Sequence, residues 1–330
     1  MATITTGNAI SGSGGNVEVL VGTGTSGDGG DIIMTAGESS AKDTAGGKIN
    51  IFGGLGSSDD SKVGGDGGKV EIFGGEARGE NPATDFGGNV EITAGLAAQA
   101  TGGSMVYTSG VGHLTSSGLV LLSTANAGFQ GVSGSITMST GTSSLGCSGY
   151  YYLGTGEASS GAGGDIDIVV GTGHLYDGGN IYMISGETTA VGETGGWVQI
   201  TGGKGSNTDS GNGGDGGAVF IDGGAAKGAN NLDLGGNIEL TGGKADFGTG
   251  GNIIIETGMG FATSSGYMKL HTQNSGSSGV SGYVEAGTGF TTNGDSGYYT
   301  IKTGNAAGGT GGYITVEVGN GNQGSGGDVR

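Results

Sequence analysis

The chain has 330 residues, 87 of them Gly and one Pro, and its 30 acidic and 11 basic side chains give a formal charge of −19 at pH 7. Collagen is excluded, because Gly falls mostly in Gly-Gly or Ser-Gly pairs and not at every third residue, and a flexible Gly/Ser linker would lack the regularly spaced Val and Ile that run throughout. The negative charge opposes nucleic acid phosphate and anionic membrane surfaces, which leaves cations and polyols as the small partners to consider.

No apolar stretch reaches the length of a membrane span, and the opening "MATITTGNAISGSGG" carries neither the basic start nor the apolar core of a signal peptide. Cys147 is the only cysteine, so no internal disulfide can form.

From residue 14 onward the chain divides into units, each opened by a Gly-Gly or Ser-Gly pair, at 14, 29, 46, 67, 87, 102, 117, 133, 148, 163, 178, 195, 216, 235, 250, 265, 281, 296, 311 and 326. Positions are counted here from the second residue of the pair. The second position reads Val17, Ile32, Ile49, Val70 and so on to Ile314 and Val329, with no polar residue. The fourth behaves alike, from Val19 and Met34 to Ile301 and Val316. Such alternation predicts a short β-strand with one buried face, on which Val90 and Ile92 would be core residues stacked on Ile72 and Tyr107 of neighbouring units.

The seventh position is Gly in every complete unit except at Ala125 and Gln273, and the ninth is always Gly, Ala, Ser or Thr. These positions predict tight corners, where Gly would supply positive φ and close backbone approach.

The unit lengths 15, 17, 21, 20, 15, 15, 16, 15, 15 from residue 14 recur from residue 163 with one change, 19 for 20. Residues 14–162 and 163–310 therefore form a duplicated pair of nine-unit blocks, with a partial third block at 311–330. An odd block of nine favours one unit per coil. The expected fold is all-β: a single elongated parallel β-solenoid (β-helix) over 1–330, about 20 coils of one 15–21-residue unit each. Two aliphatics per coil are a thin core, so backbone ladders and stacked neighbours would have to supply the rest.

At "SSGLVLLSTANAGFQGVSGSITMSTGTSSLGCSG", with "GGDGGKVEIFGGEA" and "TDFGGNV" before it, the chain resembles the Gly-rich tandem-repeat proteins of diatoms and related marine algae. The "GGxVxIxxG" pattern has a looser likeness to phage and giant-virus fibre repeats. The resemblance spans essentially the whole chain. It implies a repetitive structural rod that is secreted or surface-exposed, with no catalytic residues to transfer.

Three consecutive long units carry extra residues at 40–44, 57–64 and 78–86, and again at 189–193, 206–214 and 227–234. Stacked, they would make a ridge bearing Asp43, Asp59, Asp60, Glu80 and Asp85, with Asp209 and Asp233 in the second block, and insertions on one side of a repeat protein often form its binding face. The plainer alternative is a solvated loop. "GDGGDI" at 27–32 resembles a calcium-binding repeat, but the equivalents of Asp31 are Lys48, Lys69, Ser104, Trp197 and Ala218, which argues against a calcium array.

Tyr267, Tyr283, Tyr298 and Tyr313 fill the first position of four successive units and could stack on sugar rings or, more simply, on one another. His113 and His174 share a position four units apart and His271 stands alone, so no metal site is expected, nor any cofactor or catalytic group. Outward positions hold charge beside apolar entries such as Ile33, Phe52, Phe73, Val106, Leu121, Ile184 and Phe220, which suggests that part of this face is covered by a partner.

These features predict a structural protein that self-associates laterally or end to end in an extracellular matrix, cell wall or fibre, and not an enzyme. The end fragments "MATIT" and "GGDVR" together nearly describe one unit, the basis for expecting end-to-end stacking. The alternatives are a viral or phage fibre component, which would place it on a virion, and a polysaccharide- or ice-binding module.

Overall fold

The computed structural model describes residues 2–230, 232–322 and 324–330, and among them there is neither helix nor strand. The chain divides into two units, Met1–Ile166 and Asp167–Arg330, the boundary falling four residues into the second sequence block. Both are built in the same way.

The regular element is an extended run of constant length, from the second residue of a pair to the seventh position. Between one run and the next the chain leaves in a loop of variable length, and at eleven of the nineteen junctions that loop is closed at its neck by a backbone hydrogen bond. The N–H of Gly47 donates to the carbonyl of Gly37 at 2.8 Å, Gly68 to Gly54 at 2.7 Å, Gly88 to Gly75 at 2.8 Å and Gly103 to Gly95 at 2.8 Å. In the second block Gly196, Gly217, Gly236, Gly251 and Gly266 repeat the bond to Gly186, Gly203, Gly224, Gly243 and Gly258. Each time the donor is the second residue of a pair and the acceptor is the seventh-position glycine before it. A 21-residue unit and a 15-residue unit are thus made identical at the neck, because the surplus lies wholly outside it.

Where that backbone bond is absent, the sixth position supplies a closure of its own at several junctions, and at Ser185 it adds to the backbone bond. Oγ1 of Thr140, Thr272 and Thr303 donates to the carbonyl of the next pair's second glycine, Gly149, Gly282 and Gly312, at 3.2, 3.2 and 3.3 Å, and Oγ of Ser185 does the same to Gly196 at 3.0 Å. Where the sixth residue is Val21, Val170 or Val318, its Cγ1 methyl occupies the space beside Gly30, Gly179 or Gly327 that a Cβ would need. These valines are among the less exposed large side chains, 42% at Val170 and Val318.

The expected parallel β-solenoid is overturned by this arrangement. Stacked coils require backbone bonds between equivalent residues one unit apart along the whole run, whereas no hydrogen bond among the described residues spans more than the 14 residues from Gly54 to Gly68. The runs meet only at their necks. Seventeen backbone bonds are present among the described residues, where a folded chain of this length carries on the order of 200. Accordingly none of the described residues is buried: Val90 is 50% exposed and Ile92 is 59% exposed, so the expected stacked core of Val90, Ile92, Ile72 and Tyr107 is absent. The surface of 32909 Å² lies between the roughly 12,000 Å² of a folded monomer of this mass and the roughly 46,000 Å² of the unfolded chain.

The alternation itself is present. Met105 is 44% exposed, Val106 79% and Tyr107 68%, so side chains do point to two sides of an extended run. What the chain does not supply by itself is a second layer. Two aliphatics per unit cannot offset the ordering of fifteen residues, and side-chain contact between runs is confined to a few places. Tyr107, Val120, Leu121 and Leu122 line one open apolar pocket of about 450 Å³, and Tyr151 Oη lies 3.8 Å from Met138 Sδ, the fourth position of one run against the second of the next in both cases.

Glycine at the corners also acts differently from expectation. Positive φ in the left-handed region occurs at Gly12, Gly192, Gly294 and Asp43, and not at the seventh-position glycines. Close approach is the operative constraint, and it falls on the neck donor and the ninth position: a Cβ on Gly88 would stand 2.9 Å from the Gly75 nitrogen, and one on Gly24 would stand 2.6 Å from the Gly27 carbonyl oxygen. A Cβ on Gly75 meets nothing within 4 Å. Gly88→Ala is therefore expected to abolish amide exchange protection at residue 88, whereas Gly75→Ala preserves it, as hydrogen exchange read by NMR will show; equal protection in both variants would contradict the neck geometry.

Candidate functional site

The acidic loops are the most structured surface of the chain, and their carboxylates divide into two kinds. Asp60 Oδ1 accepts from the N–H groups of Lys62 and Val63, both at 2.8 Å, and holds loop 57–64 in a turn. Asp209, its equivalent 149 residues on, accepts from Gly211 and Asn212, both at 2.9 Å. Asp85 Oδ2 accepts from Asn81 N–H at 2.8 Å while Asn81 Oδ1 accepts from Ala83 N–H at 3.1 Å. Asp233 and Asn230 repeat the pattern with 3.0 Å from Asn230 N–H and 3.1 Å from Leu232 N–H. These are side chains satisfying the backbone of their own loop.

Asp43, Asp59 and Glu80 make no such bond, and the second block replaces them by Gly192, Thr208 and Ala229. Asp43 and Gly192 share a left-handed backbone, φ 57° and 80°, so the feature kept between the blocks at this point is the turn and not the charge. Within the ridge, then, the duplicated carboxylates are those that build loops. Ligand binding would instead keep outward groups that have no structural duty.

Nor does the structure gather the ridge into one site. The hydrogen bonds of each loop remain inside that loop, and among the described residues no three His, Cys, Asp or Glu side chains converge where a metal ion could sit. The ion pairs are local and exposed, such as Lys69 with Glu71 at 2.6 Å and Arg78 with Glu76 at 2.9 Å, and pairs of this kind contribute little. Tyr267, Tyr283, Tyr298 and Tyr313 are 85–90% exposed, which leaves both ring faces open and rules out a stacked ladder within the chain.

The sixth position was the feature least visible beforehand. Its residues are Val, Ala, Ser, Thr or Gly throughout, and together with the second and fourth positions they make an uncharged stripe along every complete run. Simple continuation of the alternation to a third inward residue is the signal that points to it. The outward third position, by contrast, holds Glu18, Glu71, Glu91 and Lys269. One side of each run is therefore apolar and free of charge, and the loops project from its necks.

The two backbone donors hold the Asp60 carboxyl below the ordinary carboxylate value of 3.8, Val63 contributing most, and Asn212 and Gly211 do the same for Asp209. A depressed folded-state value means that this loop ordering is complete above about pH 3.8 and is lost as pH falls through the lowered value. NMR titration is expected to show the Lys62 and Val63 amides losing protection together in that acidic window, with Asp60→Ala losing it at every pH and the Gly68 neck bond unaffected in both. Comparison with known proteins finds no matching family model, no matching curated protein and no matching solved structure.

Proposed function

We propose that the chain is a structural protein that works by assembly, a component of an extracellular matrix, wall or fibre, and not an enzyme. The observation that carries this reading is the uncharged stripe formed by the second, fourth and sixth positions, repeated along the chain, its large side chains 42–81% exposed and covered by no layer of the described residues. A face of this regularity has value only when it is covered, because the exposed apolar area and the unpaired backbone groups of the runs both cost free energy in water. The acidic loops fit the reading as projections that keep such a chain soluble. The resemblance to algal and viral repeat proteins points the same way. Among the described residues no helix is long and apolar enough to cross a membrane.

Carbohydrate binding has one observation in its favour, the four open tyrosines at a shared position between 267 and 313. Elsewhere that position is aromatic only at Tyr150 and Trp197 and otherwise holds residues such as Asn16, Lys48, Ser104 and Ala218, so a continuous sugar-binding surface would occupy a small part of a repeat that runs the length of the chain. Assembly explains the whole repeat.

The reading is tested by sedimentation velocity together with binding of a hydrophobic dye. The dilute chain is expected to bind dye and to release it as concentration and sedimentation coefficient rise together. Ile92→Asp places a charge on the stripe and is expected to weaken assembly at least about tenfold, whereas Glu91→Ala, one residue away on the outward side, changes it by less than about twofold. Dye binding that persists unchanged at every concentration, with a monomer in the cell, overturns the reading.

A further inference from the structure

We infer that the occupant of the apolar stripe is another copy of this chain, laid parallel and in register, so that each run is covered by the same run of its neighbour. The inference rests on the assembly reading above and specifies its partner.

Spacing identifies the partner. The runs have constant length, but the loops between them do not: the units measure 15, 17, 21 and 20 residues and then 15 and 16. A partner that follows the stripe must place its own apolar residues to match runs joined by this particular sequence of loops. A second copy in parallel register has that sequence by construction. Each of its necks lies beside the same neck, and each long loop emerges beside its own counterpart. An antiparallel copy would set long loops at 40–44, 57–64 and 78–86 against units of a different length. A parallel copy displaced by one block, 149 residues, keeps the match but leaves a whole block on each chain without a partner. In-register pairing alone leaves no run uncovered.

Backbone chemistry leaves a second contact open at the edge of each run, at right angles to the covered stripe. In a run such as 88–95 only the terminal groups are bonded, Gly88 N–H to Gly75 and the Gly95 carbonyl from Gly103. The interior N–H and C=O groups, residues 89 to 94, have no partner among the described residues, and an extended segment in this state is a template for pairing with another extended segment. Position by position, the side chains that would meet are compatible: no second, fourth or sixth position of any complete unit carries a charge, so superposing like on like brings no charges together across the covered face.

Charge enters elsewhere. Parallel copies set like beside like on the outward side and in the loops, and at −19 per chain this opposes association until salt screens it. The same repulsion disfavours nonspecific collapse of the stripe, since only full-length matching recovers enough contact to overcome it. The assembly is therefore expected to strengthen as ionic strength rises.

Excimer fluorescence on the full chain tests register directly. Pyrene is attached at the native Cys147, which is exposed, and in a second protein, Cys147→Ser with Ser26→Cys, at residue 26 in an exposed loop. Parallel in-register copies bring 147 beside 147 and 26 beside 26, so both proteins give excimer emission, which grows with added NaCl and falls in proportion to the labelled fraction when unlabelled chain is mixed in before assembly. Antiparallel copies have a single point along their length where a residue faces itself, and displaced copies have none. Assembly by sedimentation with excimer at one label or neither overturns this inference and leaves the assembly reading standing. A monomer at all salt and protein concentrations overturns both. Adding Ile92→Asp to each labelled protein is expected to abolish both signals, and excimer that survives it would show that the labels meet by some other surface.

Discussion

At eleven of the nineteen junctions between runs the loop is closed by the hydrogen bond from the second residue of a pair to the seventh-position carbonyl before it, and this closure is the constraint on which the long loops depend. The bond is 2.8 Å at Gly47, Gly88, Gly103, Gly217, Gly236 and Gly251 alike, although the loops that it closes differ in length by several residues. The entropy of closing a loop grows only slowly with its length, so a single neck geometry tolerates 95–103 and 54–68 at similar cost. That tolerance has a steric condition. The two backbones meet so closely that a side chain on the donor would strike the opposing nitrogen, which is why the pair ends in Gly so regularly even though its φ is ordinary. The sixth residue must be small, or a valine fitted against that glycine, for the same reason.

One bond per neck fixes where runs begin and end and does nothing for what lies between. The interior of each run has neither a backbone partner nor a covered side chain, and the surface of 32909 Å² follows from that. Local order and a missing second layer therefore coexist. The loops are held by Asp60, Asp85, Asp209 and Asp233 independently of any core, while the runs wait on contacts that the chain alone does not make. A sequence that builds its necks and loops locally and leaves its apolar stripe open separates two tasks that most domains accomplish together.

This separation decides what could be read from the residues. The pair, the run and the division into inward and outward positions were legible, because periodicity reports which side of an extended segment a residue faces: Met105 and Val106 differ in exposure as the alternation requires. What covers the inward side was not legible. Alternation names a face and is silent on whether the second layer is the next unit or another chain, and assigning it to the next unit produced the solenoid that the structure lacks. Composition also misled at the corners. Glycine at the seventh position suggested positive φ, whereas the constraint acts across the neck on a different glycine, a relation between residues up to 14 apart that no local motif displays. Among the acidic residues, charge alone could not separate Asp60, which builds its loop, from Asp59 beside it, which does not.

The duplication supplies the comparison that a single copy could not. Between the blocks Asp60 and Asp85 persist as Asp209 and Asp233, Asn81 as Asn230, and the left-handed turn at Asp43 survives its replacement by Gly192. Asp59 and Glu80, which bond nothing, become Thr208 and Ala229. On the stripe the residues exchange freely within one class, Val17 for Ile166, Met105 for Ile253, Val120 for Met268, and never for a charge. Loops thus retain the groups that close them, and the stripe retains apolar character without retaining shape. An intricately fitted core would resist such exchanges, since changes of volume between fixed neighbours are costly. An open face does not, because each side chain borders water on one side and a change of volume meets no fixed neighbour there.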